Sequence, residues 1–431
     1  MKGELNLFQA TMLRWRAMHP YNAVHAVAID PALTPERLDD AIGRTLEHWG
    51  LTGLVLDRRR GRYEYRGGPA TVRLARVPGA AMLETLEGEV EYQLNMPFSD
   101  DGAIDPFRFF HVTGRDGAML GLAYDHFIAG GDCILALLHA IVDACRGVPP
   151  GPAPLLYPPT QRALYRANWR HALTGIGRVP ALVKSARRTV RPRYRDARDG
   201  HNGYRLFELP LDLSRRLLAA HKAWSVTVND VLMALLLLAV DPLVPGRHGA
   251  ARRRVQLAVA SIMNLRAQYG AQYGAQDRPT FGQFLGSLRV AHPVPGDATL
   301  QALARDVNAE TQLVKRDKVF LQTLLAMGYV KRVWPMLDER QRASFYAKTY
   351  PINAGISALN VDAMWPRAND GAPTPVYIRG VPTGPLTPLV VAFTTVKDKL
   401  YAGVSYRTTA YSRDDIDLFW TGLVRRLDTL P

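Results

Sequence analysis

The chain lacks most of the features that announce a particular chemistry. Its 431 residues include two cysteines, Cys133 and Cys145, too few for a disulfide framework, and no Cys or His spacing fits a zinc site. The expected compartment is therefore a reducing cytoplasm. There is no Asn-x-Ser/Thr glycosylation acceptor. The longest apolar run, VLMALLLLAV at 231–240, is too short to cross a bilayer, and the opening MKGELNLFQATMLRWRAMHP has no secretory core. Absent too are a G-x-S-x-G elbow, a Walker loop, an H-E-x-x-H pair and an EF-hand loop; GIGRVP at 175–180 lacks the third glycine and the preceding strand of a dinucleotide site. Acidic residues are scarce, 39 against 54 basic, and the net charge of +15 favours polyanionic partners.

What is present is the composition of a folded protein. Hydrophobic residues make up 47% and charged residues 22%, which excludes disorder, collagen and coiled coil, and the length suits two or three domains.

The pattern alternates helices and strands. Helices are expected at 7–18 and at 35–49, the second behind the N-cap Thr34, with YNAVHAVAID between them as a strand. Short strands follow at 53–57, 63–65 and 70–75, then a helix at 81–93, then FRFFHVTG and AMLGLAYD joined by an RDG turn. DCILALLHAIVDACR reads as a helix with Asp132 as N-cap and Gly147, Pro149 and Pro150 as its stop. Further on come the strand HNGYRLFELP, a helix at 211–224, and a deeply apolar helix opened by Thr227 with Asp230 three residues later. RRRVQLAVASIMNLR alternates as a strand, and the tandem AQYGAQYGAQD at 267–277 reads as a loop. Helices at 299–316 and 338–348, the strands AGISALNVDAM, PLVVAFTTV and KLYAGVSYRT, and a helix at 412–427 close the chain.

Between these halves the stretch 147–159 holds six prolines, and 161–198 carries ten Arg and one Lys against one Asp. We divide the chain accordingly: an N-terminal lobe at 1–160, a basic connection at 161–199 and a C-terminal lobe at 200–431. The connection reads as a basic amphipathic helix over 164–190. A solvated charged face is its default reading. Contact with an acidic carrier protein or with coenzyme A phosphates is the next. A third is an anionic membrane surface, with Trp169, Leu173, Ile176, Val179, Leu182 and Val183 as the apolar side. No nucleic-acid partner is expected, since no recognition motif accompanies the charge.

One constellation carries chemistry. In AYDHFIAGGDC, 123–133, an apolar strand delivers His126 into a Gly-rich turn that runs into a helix. An imidazole so placed can take a proton from a hydroxyl or an amine. The paired Gly130 and Gly131 let backbone approach a ligand, and the helix start offers N–H dipoles to negative charge. The plain alternative is a turn histidine bonded to backbone.

AYDHFIAGGD resembles the HHxxxDG motif of the condensation-domain and chloramphenicol-acetyltransferase-like acyltransferase superfamily, with His126 at the catalytic second histidine. LNLFQATMLRWRAMHPYNAVHAVAID, TVNDVLMALLL, IMNLR with FGQFLGSL, and GISALNV match further stretches in order over nearly the whole chain. The resemblance implies an α/β fold of two chloramphenicol-acetyltransferase-like lobes with mixed sheets and flanking helices, and an active-site tunnel at their interface. Two departures stand out. Asp125 replaces the first histidine, and Gly130 replaces the motif aspartate, which in relatives pairs with an arginine matching Arg266. Here either Asp125 or Asp132 takes over that pairing, Asp132 being favoured, or Arg266 meets an anionic substrate group.

The implied activity is that of a stand-alone, monomeric, cytoplasmic acyltransferase. An acyl-CoA or a carrier protein's phosphopantetheine thioester is co-substrate, a small-molecule alcohol or amine is acceptor, His126 is general base, and neither bound cofactor nor metal is required. An acidic acyl or peptidyl carrier protein is a candidate partner, as is an anionic membrane through 161–198. Candidate oxyanion or substrate contacts are Asn264, Ser357, Asn360, Thr394 and Thr395; an oxyanion donor is worth ~3 kcal/mol where it has been removed in enzymes. Cys133 reads as packing. The competing expectations are a non-catalytic scaffold and a repurposed site for cyclisation or tailoring of a carrier-bound intermediate.

Overall fold

The computed structural model describes residues 2–430 apart from 100–101, 157–160, 245–246, 248–252, 270–279 and 366–374. Most of the 267–277 repeat therefore lies outside the described residues. Two larger sheets carry the fold, each faced by helices. The first runs Tyr377–Gly380, Asn22–Ile29, Gly117–Asp125, Phe107–Gly114, Leu74–Pro78, and the second Asn202–Leu209, Lys399–Arg407, Leu389–Val396, Ala354–Asn360, Leu257–Asn264, Leu285–His292. Both are mixed: Leu74–Pro78 runs parallel to its neighbour, as does Ala354–Asn360 to each of the strands beside it. This is the two-lobed α/β architecture expected of the sequence.

Local chemistry accounts for most elements. Asn6 and Gln9 form a capping box that starts the helix Leu7–Arg16. Thr34 caps Pro35–His48, and Thr227 with Asp230 caps Val228–Val240. From Asp230 to Val240 every residue of that last helix is buried, which fits a helix apolar on all sides, each buried Leu or Val contributing about 1.5–3 kcal/mol. It forms the spine of the second lobe, against Leu300–Arg316 and Arg413–Asp428.

The lobes are not separate in sequence. Tyr377–Gly380, which sequence patterning did not pick out, leaves the second half of the chain and pairs antiparallel with Asn22–Ile29, setting Arg379 opposite His25. Thr280–Phe281 crosses as well, pairing with Leu155–Leu156. A helix also absent from the expectations, Phe320–Val333, packs on Leu7–Arg16, and its Phe320, Leu321 and Leu324 join the first lobe's core. Three segments beyond residue 200, Thr280–Phe281, Phe320–Val333 and Tyr377–Gly380, thus join the first half of the chain.

Two further expectations change. The helix after the His126 turn is Gly131–Cys145 with Gly130 as its N-cap, so Asp132 lies inside the first turn, its Oδ1 accepting from the Cys133 N–H at 2.9 Å. The single basic helix is instead three, Gln161–Ala167, Trp169–Thr174 and Val179–Arg188, the last two joined by a 3-10 turn at Gly175–Arg178. Trp169, Val179 and Val183 are exposed on it and Leu182 is half-buried; Leu173 and Ile176 lie outside the described side chains. Among the described residues no single helix is long and apolar enough to cross a membrane.

Candidate active site

His126 is the first residue beyond the strand Gly117–Asp125, in a turn held from several directions. Its N–H donates to the Tyr21 carbonyl at 3.1 Å, and the Ile128 N–H returns to Asp125 at 3.0 Å. The side-chain amide of Gln283, from the segment that crosses between lobes, donates to the carbonyls of His126 and Ala129, the latter at 2.7 Å. Gln9 donates to Phe127 at 3.3 Å, and Gly130 N–H to Gly282 at 3.0 Å. A turn whose carbonyls are taken by two buried glutamines is rigid, which is what a positioned catalytic group needs.

Asp125, at the first motif position, pairs with Arg16 at 2.5 Å, both buried. It is thereby committed to anchoring the end of the strand. Arg266 meets Asp132, Nε to Oδ2 at 2.7 Å, while its NH1 donates to the Thr280 carbonyl at 2.8 Å and its NH2 to the Cys133 sulfur at 2.9 Å. Of the two carboxylates left open for Arg266, Asp132 is the one it contacts. The empty position at Gly130 has a reason: a Cβ there would stand 2.8 Å from Asp132 Oδ1.

Asn264 completes this tie, donating to Asp132 Oδ2 at 3.2 Å and accepting from the Arg266 N–H. Cys133 is buried, its thiol pushed up to about 12 by that burial with Asp132 adding to it. The neutral thiol packs against the Thr280 and Gly282 carbonyls.

The His126 ring stands among Tyr21 and Tyr124, each 5.6 Å away between centroids. Only 8% of the residue is exposed, and Nδ1 is buried without a well-formed hydrogen bond. Burial lowers its pKa to about 4; the Ala129 backbone opposes this and the Arg379 charge reinforces it. At neutral pH the imidazole is uncharged. Two cavities, of about 770 and 510 Å³, open elsewhere on the molecule, and neither touches His126.

Sequence reasoning missed the residue that gathers the interface. Arg379 is 3% exposed and donates through Nε to Thr394 Oγ1 at 3.0 Å, through NH1 to Ser357 Oγ at 3.0 Å, and through NH2 to the Ser357 and Phe393 carbonyls, both at 2.6 Å. Burial lowers its pKa to about 10. Opposite it, His25 accepts or donates at Nδ1 with the Tyr377 hydroxyl at 2.7 Å, and burial holds it neutral well below the usual histidine range. Gly131, at the helix start, faces both: a Cβ there would lie 3.3 Å from His25 Cε1 and 3.8 Å from Arg379 NH1. Ser357 and Thr394 are thus both held by Arg379, whose charge also acts on His25 and His126. Asn360 is not. It is exposed and accepts from the Ala363 N–H at 3.3 Å, serving a turn at the end of its strand. Thr395, half-buried, pairs in register with Asn360 and Leu400. Among the described residues no group of three His, Cys, Asp or Glu side chains is placed to hold a metal ion.

This fold is that of condensation domains. The first condensation domain of the calcium-dependent antibiotic synthetase, in complex with a substrate analogue, superposes with a TM-score of 0.72 at 15% identity over 100% of this chain and 97% of that one. The epimerization domain from the third module of tyrocidine synthetase B does so at 0.63 and 14%, over 100% and 97%. The X-domain of teicoplanin biosynthesis, solved in complex with OxyB, gives 0.58 and 16%, over 99% and 92%. No family model and no curated protein matches the chain by sequence.

Proposed function

We propose that the chain is an acyltransferase of condensation type, moving an acyl group from a thioester, on coenzyme A or a carrier protein's phosphopantetheine, to an alcohol or amine. The observation that carries the reading is His126, fixed at the junction of the two lobes of a condensation-domain fold and neutral because it is buried. A neutral imidazole accepts a proton without first losing one. In the step proposed, His126 takes the proton of the acceptor's O–H or N–H as that atom attacks the thioester carbonyl. The tetrahedral intermediate collapses, the C–S bond breaks, and the leaving thiolate takes the proton back from the imidazolium. Arg379 fixes the Ser357 oxygen as acceptor, which leaves the hydroxyl hydrogen free to point at the oxyanion; Thr394, fully buried, serves Arg379 instead. A tunnel to His126 belongs to this proposal, and its entrance requires the side chains around Tyr21 to part.

One observation favours a second reading, that of a scaffold. The ring is nearly closed off, and among similar structures the X-domain was solved in complex with a second protein, OxyB. Incubation with acyl-CoA and acyl-carrier protein donors and a mixed panel of alcohols and amines separates the two: turnover that vanishes in His126→Ala supports transfer, whereas ligand binding without turnover supports the scaffold.

A further inference from the structure

The larger of the two cavities, about 770 Å³, lies in the second lobe where the end of the basic connection crosses it, and its walls include Arg191, Arg193, Arg247, Arg253 and Arg254. Among the described residues no carboxylate lines it. Arg247 is neutralised by Asp241 and held by the Val255 and Val294 carbonyls. The other four form no ion pair among the described residues. Arg254 donates only to backbone, the Ala186 and Thr189 carbonyls at 3.2 and 2.8 Å, and Arg191 reaches the Lys348 carbonyl at 3.4 Å. Four guanidinium groups around one concavity repel each other unless an anion sits between them. The lining also includes the apolar side chains of Val190, Leu243 and Val244, and Tyr411.

The pocket is distinct from the His126 site. Asn353 lines it, whereas Ser357, which Arg379 holds, is four residues further along the same stretch, about 13 Å at strand spacing. The volume suits a small molecule, and planar five-donor forks favour phosphate oxygens over isolated carboxylates. We propose that this cavity binds a small molecule carrying two or more phosphate groups, the phosphates between Arg191, Arg193, Arg253 and Arg254 and the remainder against Val190, Leu243, Val244 and Tyr411. Such a ligand ties the connection at Val190–Arg193 to the second lobe, so it stabilises the fold as it binds.

The test is calorimetry and thermal unfolding of the full chain with pyrophosphate and with ADP, at ionic strength matched with sodium chloride. Saturable binding and a raised Tm are expected with both. The variant Arg191→Ser/Arg253→Ser, whose side chains are exposed, loses affinity at least about tenfold, while Arg73→Ser/Arg115→Ser, two exposed arginines elsewhere, binds like the parent. His126→Ala also binds like the parent, so this result stands apart from the transferase reading. Equal loss in both arginine pairs, absence of saturation, or tighter binding of poly-glutamate than of pyrophosphate overturns the proposal, the last in favour of an acidic protein surface.

Discussion

Arg266 and Asp132 face each other at 2.7 Å, and a Cβ at residue 130 would stand 2.8 Å from the other oxygen of that carboxylate. Two predictions follow directly. Truncating either partner to alanine destabilises the protein, and a double-mutant cycle read by urea unfolding gives a coupling of about 1–3 kcal/mol; additivity of the two single changes contradicts the pairing. Restoring the motif aspartate, Gly130→Asp, destabilises by about 1–3 kcal/mol, since the new Cβ presses on the Asp132 carboxylate and two like charges then share one arginine. Adding Asp132→Ala to that variant relieves the loss. A stabilising Gly130→Asp change by itself contradicts that crowding.

Histidine burial sets the acid response. The pKa of His126 in the folded state, about 4, lies below its unfolded value near 6.5, and His25 is displaced in the same direction. The unfolded chain therefore binds more protons between pH 6.5 and 4. Stability is full above that window and falls as pH drops through it, by an upper bound of roughly 3 kcal/mol for His126 alone. Denaturant unfolding from pH 7.5 to 4.5 measures the slope, and His126→Asn flattens it. In a transferase assay the acid limb of kcat/KM then lies below pH 5, whereas a limb at 6.5 places the histidine in water.

The strand that crosses from the second lobe makes a close backbone contact. A Cβ at Gly403 would stand 1.9 Å from the Arg379 carbonyl oxygen, which also accepts from Tyr204 Oη at 3.1 Å. Gly403→Ala consequently costs about 3 kcal/mol or more, or prevents folding, while Gly61→Ala, at an open surface turn, costs far less despite its positive φ. Thermal unfolding of the two variants side by side decides the matter, and similar Tm values for both are the contrary result.

What could be read in advance followed the range over which each signal acts. Caps and periodicity are local, so the helices behind Thr34 and Thr227 and the paired strands on either side of the RDG turn were legible. The strand Tyr377–Gly380 was not, because its four residues, set between Pro375 and Pro382, are too few to show a period and their partner Asn22–Ile29 is some 350 residues away. Arg379 went unnoticed with its strand. The helix Phe320–Val333 has no side-chain cap, and its apolar residues are spread around it. The basic connection carries the charge pattern of one helix, yet the chain divides at Asn168, whose amide turns back to the Leu164 carbonyl, and at Gly175. That His126 follows a strand and precedes a helix was legible from the local pattern; its enclosure was not, since Tyr21 and Gln283 come from segments far away in sequence.

The measurement that bears most directly on the proposed activity is acyl transfer by purified protein from acyl-CoA and acyl-carrier protein donors, parent against His126→Ala, with unfolding curves confirming that both are folded. A general base of this kind is worth about 10²–10⁴ in rate, so the account predicts turnover by the parent and a loss of that size in the variant. Equal rates in the two proteins, or no turnover from either while both bind the donor, would contradict it.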